Sequence, residues 1–171
     1  MNDLPNISSL FSSILFADDL TLNFRHSNLE TLVRNCNSEI QKLIEWTQCN
    51  RLTINHSKSF FMFISNRFRY YHPLILLNNA PLKQCMSGKF LGVIVDDSLN
   101  FKLHIDYISN KVSKSIGILF KLKDYLPQST LVSLYYSFIY PYLIYCNLVW
   151  GGTYSSHLGK LIKLQKKRLE L

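Results

Sequence analysis

Phe11-Ser12-Ser13-Ile14-Leu15-Phe16-Ala17-Asp18-Asp19-Leu20-Thr21-Leu22-Asn23-Phe24 is the stretch on which the reading of this chain turns. Ile14, Leu15 and Phe16 lead in, and Leu20, Leu22 and Phe24 alternate on the way out. That pattern predicts a hairpin with Asp18 and Asp19 at its turn. Adjacent carboxylates repel each other. At the end of two packed strands they stay ionised most easily with a divalent metal between them, and hard oxygen donors suit Mg²⁺. A metal held there activates a hydroxyl and neutralises a transferring phosphate. An Asp-Asp pair is also an ordinary turn, so the segments on either side have to decide.

Working outward, Ser27-Asn28-Leu29-Glu30 has capping-box spacing. Leu29, Leu32, Val33, Cys36, Ile40, Leu43 and Ile44 then follow a helical stripe, with Asn50 as its C-terminal cap. Short strands are expected at 51–54 and 59–65, flanking the polar turn Asn55-His56-Ser57-Lys58. Residues 66–73 read as a basic, aromatic loop. Residues 74–77 pair with 82–84 across Asn78-Asn79-Ala80-Pro81, and 89–95 form a β-rich run broken by Gly92. From Asn100 onward the chain reads as helix. Ile105, Ile108, Val112, Ile116 and Leu119 keep helical spacing, Pro127 starts a second helix, Pro141 bends or breaks it, and Gly151-Gly152 is a break. A last basic amphipathic helix covers 157–171, with Leu158, Leu161 and Ile162 on one side and Lys160, Lys163, Lys166, Lys167 and Arg168 outside.

The 171 residues are 47% hydrophobic and 18% charged, which suits one folded domain or a small domain with a helical extension, and excludes a disordered chain. The net charge of +8 is uneven. Residues 1–101 hold nine Lys and Arg against eight Asp and Glu, whereas 102–171 hold ten against three. A basic half beside a neutral half fits a polyanion such as nucleic acid, or a basic solvated surface. Cys36, Cys49, Cys85 and Cys146 lack zinc-site spacing and read as reduced, mostly buried thiols of an intracellular protein, nuclear or cytoplasmic. The polar N-terminus is no signal peptide, and its abrupt start is that of the tail of something longer. Residues 131–150 carry no charge, but five tyrosines, Pro141 and Asn147 favour a buried helical hairpin over a membrane span.

Four features fall in one order: Phe16-Ala17-Asp18-Asp19, a helix, Leu52 with Asn55 and Lys58, and Phe90-Leu91-Gly92. In that order they resemble the palm of reverse transcriptases from non-LTR retrotransposons of the insect jockey-like type. Asn2-Asp3-Leu4-Pro5 resembles the family's lead-in, and Tyr140-Pro141-Tyr142 and Trp150-Gly151-Gly152 resemble its thumb and the region just beyond. The resemblance implies an α+β chain. Residues 1–99 would be the C-terminal part of a split βαβ palm, an antiparallel sheet with a helix. Residues 100–150 would be a helical thumb, and 151–171 a basic helical extension cut short. It implies RNA-directed DNA synthesis from dNTPs on an RNA template and DNA primer, with Mg²⁺ on Asp18 and Asp19. Lys58 would be the general acid for the pyrophosphate leaving group, and Phe90, Leu91 and Gly92 the primer grip.

The residues themselves leave alternatives. Lys58 is also a solvated turn lysine, and Phe90-Leu91-Gly92 a buried strand whose glycine marks a bulge or a close backbone approach. Asp96-Asp97 reads as helix capping. Lys111 and Lys114 lie one turn apart and either track phosphates or solvate an outer face. The tyrosines at 135–145 stack bases or pack a core. The third carboxylate of a two-metal site, the fingers, the N-terminal palm and an endonuclease are not in the sequence. The chain is therefore expected to be inactive alone and to expose a strand edge. The alternatives are a non-catalytic nucleic-acid-binding remnant and a membrane-associated helical hairpin.

Overall fold

The computed structural model describes residue 4 and residues 8–65 and 71–167. The lead-in at Asn2, Asp3 and Pro5, most of the basic loop at 66–73, the side chain of Lys167, and Arg168 lie outside them. The described residues mix helices with short strands: β1 (Phe11–Phe16), β2 (Asp19–Phe24), α1 (Leu29–Cys49), β3 (Phe60–Phe61), β4 (Leu76–Leu77), β5 (Ala80–Pro81), β6 (Lys83–Gln84), β7 (Ser87–Phe90), β8 (Val93–Asp96), α2 (Lys102–Leu122), α3 (Gln128–Phe138), α4 (Tyr140–Ile144), α5 (Asn147–Trp150) and α6 (Ser155–Lys167). These strands make separate two-stranded ladders, three antiparallel and one, β3 with β6, parallel. The described residues divide into two compact units: those up to 63 with 71–85, and those from 86 onward with 64 and 65.

In the first unit, β1 and β2 pair in the register Phe11↔Phe24 to Phe16↔Asp19, and the Phe11 and Phe24 rings meet at 5.6 Å. Helix α1 starts at Asn28, whose side chain accepts the Thr31 N–H at 2.9 Å. The cap is therefore Asn28, and the Ser27–Glu30 capping-box spacing is not used. Ile40 and Ile44 from α1 are buried with Ile75 and Leu77, and Val33, Cys36, Ile54, Phe61 and Leu82 pack around them. Asn37 joins helix to strand. Its Nδ2 donates to Leu74 O at 3.0 Å, and its Oδ1 accepts the Leu76 N–H at 2.8 Å. One side-chain amide thus serves the β4 segment as a neighbouring strand would. Glu39 is buried on α1, and although burial pushes its carboxyl up, the bonded Lys42 ammonium at 2.8 Å helps hold it below the usual range.

The expected strand at 51–54 is absent, and the helix end claims its first two residues, Arg51 and Leu52. With Asn50 as cap, Leu52 N–H donates to Thr47 O at 2.8 Å and Arg51 N–H to Gln48 O at 3.1 Å, while Arg51 takes φ +55°. That is a Schellman motif with arginine where glycine is usual. Residues 74–77 also pair differently from expectation. Leu76 and Leu77 pair with Pro81 and Ala80 across Asn78-Asn79, both at positive φ, and Lys83-Gln84 pair with Phe60-Phe61 instead.

The second unit is built on α2. Ile105, Ile108, Val112, Ile116 and Leu119 are all buried, as the helical spacing requires, with Leu131, Tyr135, Ile139, Leu143, Trp150 and Leu161 from the other helices. Pro127 caps α3, and Pro141 lies in the first turn of α4 after the chain breaks at Ile139. In α6, Leu161 is buried and Leu158 and Leu164 pack against the core, but Ile162 is 48% exposed, against expectation. The cysteines are free. Cys36 and Cys85 are half-buried and Cys49 and Cys146 exposed, so "mostly buried" does not hold. No helix among the described residues is long and apolar enough to cross a membrane.

Candidate functional site

The Asp pair sits at the tip of the β1–β2 hairpin. Phe16 and Asp19 close the ladder, leaving Ala17 and Asp18 as a two-residue turn. Ala17 takes φ +53° and Asp18 does not share that sign, the φ pattern of a type II′ turn, whose first position favours glycine. Both carboxylates are exposed, and neither has a hydrogen bond or ion pair among the described residues. Two free carboxylates on consecutive residues are the hard donors that Mg²⁺ takes. No third His, Cys, Asp or Glu joins them among the described residues. As a donor set they fit one metal's partial coordination.

Lys58 ends a 3₁₀ turn, His56–Lys58, that Asn55 organises. The Lys58 N–H donates to Asn55 O at 3.2 Å and Oδ1 at 3.3 Å, Ser57 Oγ to Asn55 Oδ1 at 2.7 Å, and Ser59 Oγ to Asn55 O at 2.8 Å. Asn55 thus has a plain conformational task, and it leaves the Lys58 side chain exposed. No ion pair joins Lys58 to either Asp among the described residues. Beside this turn lies an open groove of about 530 Å³ whose lining includes His56, Ser57, Ser59, Pro81, Leu82 and Lys83.

In the second unit, Phe90-Leu91-Gly92 is the tip of the β7–β8 hairpin. It is not a buried strand: Phe90 is 36% and Leu91 37% exposed. Leu91 (φ +43°) and Gly92 (φ +88°) have the signs of a type I′ turn. The close approach at Gly92 comes from Tyr145, whose Cε1 would stand 3.1 Å from a Cβ there, and whose hydroxyl donates to Leu91 O at 2.6 Å.

Lys111 and Lys114 are exposed on α2. Lys111 Nζ lies 5.8 Å from the Tyr107 ring centre, and Lys89 Nζ from β7 lies 6.0 Å from the same centre. Lys89 and Tyr107 have no signal in the sequence, because only the packing of β8, the hairpin partner of β7, against α2 brings them together. Two ammonium groups beside one half-buried ring, which itself stacks on His104, make a locally basic surface. Among the tyrosines at 135–145, Tyr135 is core, at 4% exposure, and Tyr136, Tyr140, Tyr142 and Tyr145 are exposed.

Asp96 holds the segment between hairpin and helix. Its Oδ1 accepts from Ser98 N, Ser98 Oγ and Asn100 N, and its Oδ2 from Phe101 N at 2.8 Å. It tethers the loop and the left-handed Phe101, not the first-turn N–H groups of α2. Burial pushes its carboxyl up, but these bonds outweigh that and hold it below the usual carboxylate range. His104 is buried and accepts the Ile94 N–H on Nδ1 at 3.2 Å, so the neutral ring carries its proton on Nε2. Desolvation lowers its pKa.

The chain is 26% identical over 169 residues to a probable RNA-directed DNA polymerase from transposon X-element of Drosophila melanogaster, covering 95% of this chain and 18% of that protein. It is 26% identical over 157 residues to the RNA-directed DNA polymerase from mobile element jockey of Drosophila funebris, and 25% identical over 157 residues to that of Drosophila melanogaster, each covering 90% of this chain and 17% of the relative. The chain thus resembles jockey-type RNA-directed DNA polymerases along nearly its whole length, and spans less than a fifth of theirs. No protein-family model and no solved structure matches it.

Proposed function

We propose that this chain is the C-terminal palm and thumb portion of a retrotransposon RNA-directed DNA polymerase, with residues 1–99 as palm, 100–150 as thumb and 151–171 as a basic extension. The observation that carries the reading is an exposed Asp-Asp pair at a hairpin tip, without a partner among the described residues, in a chain that aligns over 95% of its length with such a polymerase. Asp18 and Asp19 would hold Mg²⁺, which when bound supplies charge neutralisation at the transferring phosphate and activation of the primer hydroxyl. Lys58 ends an ordered turn with an exposed side chain that has no ion pair among the described residues, suited to protonating a pyrophosphate leaving group. Phe90, Leu91 and Gly92 would hold the primer end, and Lys89, Tyr107, Lys111 and Lys114 the nucleic-acid backbone. The RNA template, the DNA primer and the incoming dNTP are partners of the complete enzyme. Two carboxylates do not complete a two-metal site, so the isolated chain does not polymerise.

The test is a chimera in which this chain replaces the matched segment of the X-element polymerase. It should extend a primed RNA template with Mg²⁺, and Asp18→Ala or Asp19→Ala should abolish extension. An active chimera indifferent to both substitutions would sink the reading.

The Lys89–Tyr107–Lys111 group also favours a second reading, a non-catalytic nucleic-acid-binding remnant. It expects salt-sensitive binding that Mg²⁺ and Asp18→Ala leave unchanged.

A further inference from the structure

We propose that Tyr145 is the positioning residue of the primer grip: its hydroxyl clamps the Leu91 carbonyl and fixes the Leu91-Gly92 turn. The inference rests on the polymerase reading of that turn and adds a residue to it.

Three observations carry it. A hairpin of two four-residue strands is marginal on its own, and its turn places a non-glycine residue, Leu91, at φ +43°. Something outside the hairpin must hold that tip. The Tyr145 hydroxyl does so directly, donating to Leu91 O at 2.6 Å. Its ring also lies close to where a side chain at position 92 would begin, 3.1 Å from an added Cβ, so the φ of +88° calls for glycine at position 92 and the absence of a Cβ leaves the ring its room.

The clamp is itself anchored. Tyr145 N–H donates to Pro141 O at 3.0 Å, and Tyr145 O accepts the Trp150 indole N–H at 2.8 Å. Trp150 is 4% exposed and packs edge-on against buried His104, with ring centres 5.7 Å apart. A continuous path of bonds therefore runs from the grip carbonyl through Tyr145 and Trp150 into the helical core. Phe90 and Leu91 keep exposed side chains, so the clamp fixes the tip without covering it. Tyr145 acts through Leu91 and need not touch the nucleic acid.

The experiment uses the full chain and compares its affinity for a DNA primer recessed on an RNA template with that for a blunt duplex of the same length. The preference for the recessed end reads the grip. Tyr145→Phe keeps the ring against Gly92 and removes only the hydroxyl. We expect it to lower the preference about three- to tenfold, the equilibrium weight of one net hydrogen bond, with blunt-duplex affinity unchanged. Amide exchange at Val93, beside the turn, should speed up by a similar factor. Phe90→Ala is the control on the grip. If Tyr145→Phe matches wild type while Phe90→Ala loses the preference, the clamp is wrong and the grip stands. If Tyr145→Ala loses the preference and Tyr145→Phe keeps it, the ring rather than the hydroxyl positions the turn, and the proposal is overturned. If the wild-type chain has no preference, or Phe90→Ala retains it, the grip reading falls and takes the clamp with it.

Discussion

Asn37 shows how much one side chain can settle. Its amide satisfies Leu74 O and Leu76 N–H from the flank of a helix. Asn37→Ala should cost about 1 kcal/mol, most of it from the half-buried bond to Leu76 N–H and less from the exposed one to Leu74 O, read by urea denaturation followed at Trp46. An unchanged midpoint would mean that water replaces both bonds. Ala17 is the opposite case, a residue the backbone tolerates badly. At φ +53° it carries strain that glycine lacks, so Ala17→Gly should stabilise the first unit by about 1 kcal/mol. Asp96 and His104 make the second unit acid-sensitive in two steps. His104 is held neutral, so the unfolded chain takes up a proton first, and stability falls as pH drops below 6.5. The Asp96 carboxyl is depressed in the fold, so its contribution is full above 3.8 and is lost as pH falls below that. Unfolding followed at Trp150 should show both steps, and His104→Phe should remove the upper one. None of these pairings was legible in the sequence, because each joins residues through a loop conformation that composition does not specify.

Elements differ in how far they could be read. The α2 core positions were legible because a 3.6-residue period repeated over 21 residues leaves one consistent buried stripe. The strands were not, since two-residue ladders carry no period and find their partners across long stretches, as Phe60-Phe61 does with Lys83-Gln84. At 51–54 the run Arg51-Leu52-Thr53-Ile54 lost its first two residues to the closing hydrogen bonds of α1. That closure puts Arg51 at φ +55°, so Arg51→Gly should raise stability by about 1 kcal/mol, measured by thermal melting. The hairpin that carries the Asp-Asp pair was legible from the alternation on its flanks, although the turn falls on Ala17 and Asp18 and leaves Asp19 paired with Phe16. The basic surface was half legible: Lys111 and Lys114 share a helix, whereas Lys89 reaches Tyr107 only because β8 packs against α2. If this surface binds nucleic acid, Lys89→Ala and Lys111→Ala should each reduce the slope of log affinity against log salt by about 1. A slope unmoved by either would assign the contact elsewhere.

Across the whole molecule, the second unit leaves a good deal of apolar surface bare. Leu148 is 97%, Tyr125 82%, Tyr154 71% and Phe138 60% exposed. Exposure on this scale favours association. Leu148→Ser with Phe138→Ser should raise the concentration at which the chain stays monodisperse by light scattering, without lowering its melting temperature. A drop in melting temperature would show that these side chains pack more than their exposure implies. The cysteines have a different, practical consequence. Cys49 ends α1 in one unit, and Cys146 precedes α5 in the other, and both thiols face solvent. Burial pushes the Cys36 thiol up to about 11, and Cys85 is half-buried. At neutral pH a maleimide dye should therefore mark Cys49 and Cys146 first. The chain comes with one fluorophore attachment point on each unit, so energy transfer between the two can follow, in solution and without engineering, whether a primer–template changes the distance between the units.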